Sequence, residues 1–72
     1  MNITTKYLKE NGFSEENRGG KIFYRYANIV VTWDPVYNWM ICDPINYSVT
    51  GYITSISELE RLMDGSGDKD LP

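Results

Sequence analysis

The 72-residue sequence predicts an α+β fold: a two-layer sandwich of order α-β-β-β-β-α, an antiparallel meander sheet with both helices on one face. Three observations predict it. A short stretch at each end of the chain places apolar residues at helical spacing between capping residues. Four stretches between them are rich in β-branched and aromatic residues and are joined only by tight-turn sequences. Two of those stretches alternate so that the sheet has one apolar and one mixed face, and the apolar face needs a cover.

The first helix is expected from Thr4 to Asn11. Thr4 or Asn2 can accept from an orphan backbone N–H at its start. Gly12 suits the left-handed position just past its end, which makes Leu8 and Phe13 the apolar pair of a Schellman cap. Ile3, Tyr7 and Leu8 form its apolar stripe. Residues 14–20, SEENRGG, hold no apolar residue and read as a loop whose two glycines turn the chain into the first strand.

Strands are expected at Lys21–Tyr26, Ile29–Asp34, Trp39–Cys42 and Tyr47–Ile53. Ala27-Asn28, Asp34-Pro35 and Asp43-Pro44 open the turns between them, so each proline falls where its missing N–H breaks no ladder bond. Ile29, Val31 and Trp33 share one face of the second strand, and Ile22, Tyr24 and Tyr26 one face of the first, with Ile22 and Tyr24 expected inside. The last helix is expected from Ser55 to Asp64. Ser55 and Glu58 fit a capping box, Ile56, Leu59, Leu62 and Met63 make the stripe, and Gly65 is the stop. The domain is thus placed at residues 1–64, with 65–72 as a polar tail.

A chain of this length holds one domain of small stability, roughly 3–5 kcal/mol. Aromatic residues make up 14% of it, which marks it as folded rather than disordered. The net charge of −3 and the scattered positions of seven basic residues argue against nonspecific adhesion to nucleic acid or anionic membranes. No apolar run is long enough to span a bilayer. A lone cysteine and no leader-like start make a cytoplasmic location the expectation.

Nothing in the sequence carries a known catalytic pattern. With no histidine, the Ser-His-Asp and Cys-His arrangements are excluded, and one cysteine cannot build the usual zinc sites. Gly19-Gly20-Lys21 lacks phosphate-loop spacing and precedes a strand. Cys42 reads as a small buried hydrophobe. Asp34 and Asp43, at neighbouring turns, are the carboxylates with a chance of approaching one another. No cofactor, metal ligand or catalytic residue is assigned.

The aromatic residues are the functional lead. Tyr24, Tyr26, Trp33, Tyr37, Trp39, Tyr47 and Tyr52 are too many for one helix-covered face. Tyr24, Tyr26, Tyr37, Trp39 and Tyr52 are the candidate binding residues, with Tyr37 and Trp39 first, and either Trp39 or Met40 should be exposed. Exposed rings with a polar rim suit a protein interface. Three readings follow. A protein-binding or regulatory accessory protein, acting on a partner or on a second copy of itself, leads. A nucleic-acid or nucleotide-binding module is the alternative, though the last helix begins SELE, which repels phosphate. The third is an inhibitor or immunity-like protein presenting an acidic surface, from Glu58, Glu60, Asp64, Asp68 and Asp70, to a basic groove.

The stretches TTKYLKENGF, IFYRYANIVVTW and YITSISELERLM resemble small α+β proteins of Bacteroides-type genomes and their mobile elements. That resemblance implies an α+β fold and transfers no role to any residue.

Overall fold

The computed structural model describes residues 3–66. Its order is α1 (Thr5–Glu10), β1 (Ser14–Arg18), β2 (Lys21–Tyr26), β3 (Ile29–Asp34), β4 (Asn38–Cys42), β5 (Val49–Tyr52) and α2 (Ile56–Ser66). The five strands form one antiparallel meander in the order β1-β2-β3-β4-β5. The α+β class and the meander stand as the sequence predicts, with one strand more.

Local chemistry sets the helix ends. Thr4 Oγ1 accepts from the Tyr7 N–H at 3.0 Å and starts α1. At its end the Phe13 N–H donates to the Leu8 carbonyl at 2.9 Å and the Gly12 N–H to the Lys9 carbonyl at 3.3 Å, with Gly12 at φ 93°. This is the Schellman cap, and it folds Phe13 back over Leu8. At α2, Ser55 Oγ accepts from the Glu58 N–H at 3.3 Å, while the Glu58 carboxylate accepts from the Thr54 N–H at 2.8 Å. The return arm of the box therefore reaches one residue further back than the simple pattern. The helix runs through Gly65 to Ser66 instead of stopping at Gly65, and the remaining positions assigned to a tail lie outside the described residues.

The extra strand, β1, was expected to be loop. It carries no apolar residue because it is an edge, with only Glu16 less than exposed. Gly19 and Gly20, at φ 61° and 87°, make the two-residue hairpin to β2. Both central positions of such a turn need positive φ, which glycine adopts without strain.

The same Asp-Pro turn is used at both ends of β4. Asp34 Oδ2 accepts from the N–H groups of Val36 (2.8 Å) and Tyr37 (3.0 Å), and Asp43 Oδ1 from those of Ile45 (2.7 Å) and Asn46 (3.1 Å). Each turn ends four residues on in a left-handed residue, Asn38 at φ 66° and Tyr47 at φ 62°. Tyr47 is therefore a turn residue, and β5 is shorter than the expected Tyr47–Ile53. The two aspartates lie beyond opposite ends of β4, so they do not form the carboxylate pair considered above.

Both helices pack on one face. Leu8 of α1 and Leu59 of α2 are sealed in the same cluster as Tyr24, Ile29, Val31 and Trp39. The Tyr7 hydroxyl donates to Glu60 Oε2 at 3.2 Å and links the helices above it. The other face departs from expectation. It is not open: Phe23, Val30 and Cys42 form a second small core there, with Tyr47 laid over it.

The Tyr47 ring meets Phe23 edge-on at 4.9 Å, and the Arg18 guanidinium lies 4.0 Å above its centroid. Its hydroxyl donates to Glu16 and accepts from Arg25 Nη1, which also donates to the Pro44 carbonyl at 3.1 Å. A residue from the β4–β5 turn thus clasps the edge strand β1 across the sheet. The Tyr47 hydroxyl is the main reason the Glu16 carboxyl titrates below the ordinary range. Partial desolvation opposes it, and the charges of Arg18 and Arg25 add to it.

Two outcomes follow. Leu59→Ala should cost about 2–4 kcal/mol in urea denaturation, most of the stability of so small a domain; a loss below ~1 kcal/mol would contradict the docking of α2. Glu16 titrates lower folded than unfolded, so its contribution is full above the unfolded value of about 4.3 and fades as pH falls through the folded one. Tyr47→Phe should move the Glu16 carboxyl titration, followed by NMR, upward toward the ordinary value; an unmoved curve would remove the hydroxyl as its cause.

Candidate functional site

Trp33 and Trp39 sit directly opposite each other on β3 and β4 and share the helix-bearing face. Their fates differ because of what lies above them. The chain enters α1 over Trp39, whose indole N–H donates to the Ile3 carbonyl at 2.9 Å, leaving Trp39 only 7% exposed. Trp33, its cross-strand partner on β3, lies outside that cover and is 51% exposed.

The turn itself presents the next ring. With Asp34 holding two of its N–H groups and Pro35 fixing φ, Tyr37 is held outward at 58% exposure. It stacks at 5.4 Å, tilted by 34°, on Tyr52 of β5, which is 57% exposed. Val36 in the same turn is also exposed.

Between these rings lies a cleft of about 340 Å³. Trp33, Tyr37 and Tyr52 line it with Ile3, Trp39 and Ile53, and Asn38 and Thr54 add the polar groups; among the described residues no charged one lines it. A second, more open cleft of about 560 Å³ lies between Thr4-Thr5 and Gly20–Ile22, with Lys21 as its one charged residue. Ile3, Trp33 and Trp39 line both. Trp33 is therefore a ridge between two neighbouring hollows.

Of the five sequence-derived candidates the structure brings together Tyr37 and Tyr52 as exposed rings, with Trp39 lining the same cleft as a buried residue. Tyr24 and Tyr26 are elsewhere. Trp39 and Tyr24 are buried, edge to face at 5.9 Å beneath the helices, and Tyr26 is half-buried against Phe13 at 5.4 Å. The expectation that Trp39 or Met40 be exposed fails for both, because Met40, on the second face, is itself only 5% exposed. Trp33 was missed as a candidate. Alternation points it inward, and only its place at the strand end beside an Asp-Pro turn hints that the roof stops short of it.

Chemically the site offers apolar area and a few neutral hydrogen-bonding groups. Asp34, at the neighbouring turn, is occupied by that turn, and Glu58 by Thr54. Cys42 is buried on the other face, where desolvation pushes its thiol titration upward, against the pull of Lys21. Among the described residues no three His, Cys, Asp or Glu side chains converge as a metal site would need. Of the acidic groups on α2, Glu58 is engaged by Thr54 and Glu60 by Tyr7. Arg18, Lys21 and Arg25 share the second face, but Glu16 stands among them and both arginines hold Tyr47.

Compared with family models, with curated proteins and with solved structures, the chain matches none of them.

The two tryptophans should separate in fluorescence. Iodide should quench the Trp33 part of the emission and leave the Trp39 part, so Trp33→Phe should leave a signal that iodide barely changes. Strong quenching in that variant would place Trp39, not Trp33, at the surface.

Proposed function

We propose that the protein acts by protein–protein contact and that Trp33, Tyr37 and Tyr52 are the anchors of its contact surface. One observation carries this: three large rings, each more than half exposed, surround a cleft with no charge among its described lining residues. Leaving such rings in water forgoes burial worth about 25 cal/mol per Å² of apolar area. Grouped exposed apolar residues of this kind mark interaction surfaces more than scattered single ones do. Trp and Tyr suit the task, because each buries a large area and still offers one hydrogen-bonding group.

The lining also selects the occupant. Among the described residues lining the first cleft, a phosphate or a carboxylate would find no cation, and a lysine or arginine no carboxylate. The fitting occupant is an uncharged segment of a partner protein that places apolar side chains on either side of Trp33. Nucleic acid ranks second, because Arg18 and Arg25 lie on the second face and are both engaged by Tyr47, with Glu16 beside them, which leaves Lys21 as the one described basic residue bordering the second cleft.

The test is comparative capture from the native host with immobilised protein, read by quantitative mass spectrometry. Wild type, Trp33→Ala, Tyr37→Ala and the remote surface variant Ile45→Ala are run side by side, with far-UV circular dichroism to confirm folding. A partner enriched by wild type and Ile45→Ala should fall at least about tenfold with Trp33→Ala, the effect of losing a hot-spot side chain. Equal enrichment by all four would refute the assignment of this surface.

A further inference from the structure

The two clefts on either side of Trp33 form one track, and its direction restricts what can lie in it. Ile22 on β2, Trp33 on β3, Trp39 on β4 and Ile53 just past β5 follow one another across the sheet. Trp33 lies opposite Trp39, and the Ile53 N–H donates to the Trp39 carbonyl at 3.0 Å. Trp33 and Trp39 line both clefts, Ile53 the first and Ile22 the second. The track therefore crosses the strands instead of following one. Three strand spacings make it about 14 Å long.

Each regular backbone conformation meets this track differently. A segment added as a β-strand must run alongside a sheet edge to use its N–H and C=O groups. A segment occupying both clefts lies across β2, β3, β4 and the end of β5, so it finds no such edge along its length. A helix seats its apolar face in a groove. Here the half-exposed indole of Trp33 stands in the middle of the way and would hold a rod about 10 Å across off both hollows. A polyproline II segment has three residues per turn and sets side chains of one face about 9 Å apart. That interval lets one residue enter each hollow with the indole between them, and the whole track takes about five residues.

Hydrogen bonding points the same way. Polyproline II makes no internal hydrogen bonds and leaves its carbonyls to the surroundings, and proline brings no N–H of its own. Such a segment offers acceptors and needs donors. The Trp33 indole is a donor only, and the Tyr37 and Tyr52 hydroxyls and the Asn38 amide can all donate. Among the described residues lining the first cleft there is no charged group, which suits an uncharged segment.

We infer that the segment this surface takes is a proline-rich stretch in the polyproline II conformation, with two prolines three positions apart seated on either side of Trp33. This rests on the contact reading and names the chemistry of its partner. Such a segment is extended before it binds and loses little freedom on binding, which suits a site with three exposed anchors.

Selection from a phage-displayed library of random peptides tests it without presuming a sequence. Peptides of about twelve residues exceed twice the span of the track. Binders to wild type are counter-selected on Trp33→Ala, or on Tyr37→Ala if the first variant loses its far-UV circular dichroism. The expected pool is enriched in Pro-x-x-Pro. A synthetic peptide from it should shift the amide NMR signals of Trp33 and Ile22 and bind the counter-selecting variant at least about tenfold more weakly. A ring-dependent pool with no excess of proline overturns the inference and leaves the contact reading standing. So does a selection with no ring-dependent peptide, where capture from the host still loses its partner on Trp33→Ala. Equal host capture by all four proteins removes the contact reading, and this inference with it.

Discussion

Val30 and Val31 are neighbours on β3, and both are sealed from water, one on each side of the sheet. The rest of the domain is arranged around that double burial. A strand covered on both faces needs two layers of cover, and a chain of this length has few residues with which to build them. The helices supply one layer through Leu8 and Leu59. The second comes from a turn, because no third helix remains among the described elements. Thr32 shows how completely the strand is enclosed: it is buried, and its hydroxyl donates to the Ile22 carbonyl at 2.7 Å, so even its polar atom is satisfied within the sheet.

The same shortage shapes the surface. α1 has only six residues, and the chain leading into it covers Trp39 but not Trp33. Where the roof ends, the rings begin to show, and the Asp34 turn adds Tyr37 beside Tyr52. The exposure of Trp33 thus follows from how far two helices reach over five strands, while Tyr52, opposite Met40, joins the cluster from the second face. Rings at such a boundary rest on a rigid sheet, so little order has to be created when they are covered, which favours contact.

Much of this was legible in the sequence wherever the cause was local. The caps at Thr4, Gly12 and Ser55 depend on residues three or four positions apart, and they appear as read. The alternation of β3 and the strand-breaking prolines fixed the meander. β1 was not legible, because an edge strand wet on both sides has no apolar period to detect; the Gly-Gly pair before Lys21 was the available signal of a hairpin. The cover on the second face was hidden for a different reason. Tyr47 reads as the first residue of an alternating strand, and only contacts with Phe23, Glu16 and Arg25, far off in sequence, reveal it as a turn residue. Of the candidate site, Tyr37 and Tyr52 were found and Trp33 was not. Trp33 and Trp39 have the same chemistry and the same face, and what separates them is the path of residues more than thirty positions earlier.

The twin Asp-Pro turns differ in the residue that closes them. Asparagine tolerates the left-handed backbone, so Asn38 closes its turn at little cost. Tyr47 bears a cost of roughly 1 kcal/mol for the same geometry, offset by the contacts of its side chain and by its N–H bond to the Asp43 carbonyl at 2.8 Å. Backbone and side chain thus oppose one another at a single position. The cover on the second face therefore rests on one side chain held against its backbone preference, whereas the helix-roofed side rests on two docked helices.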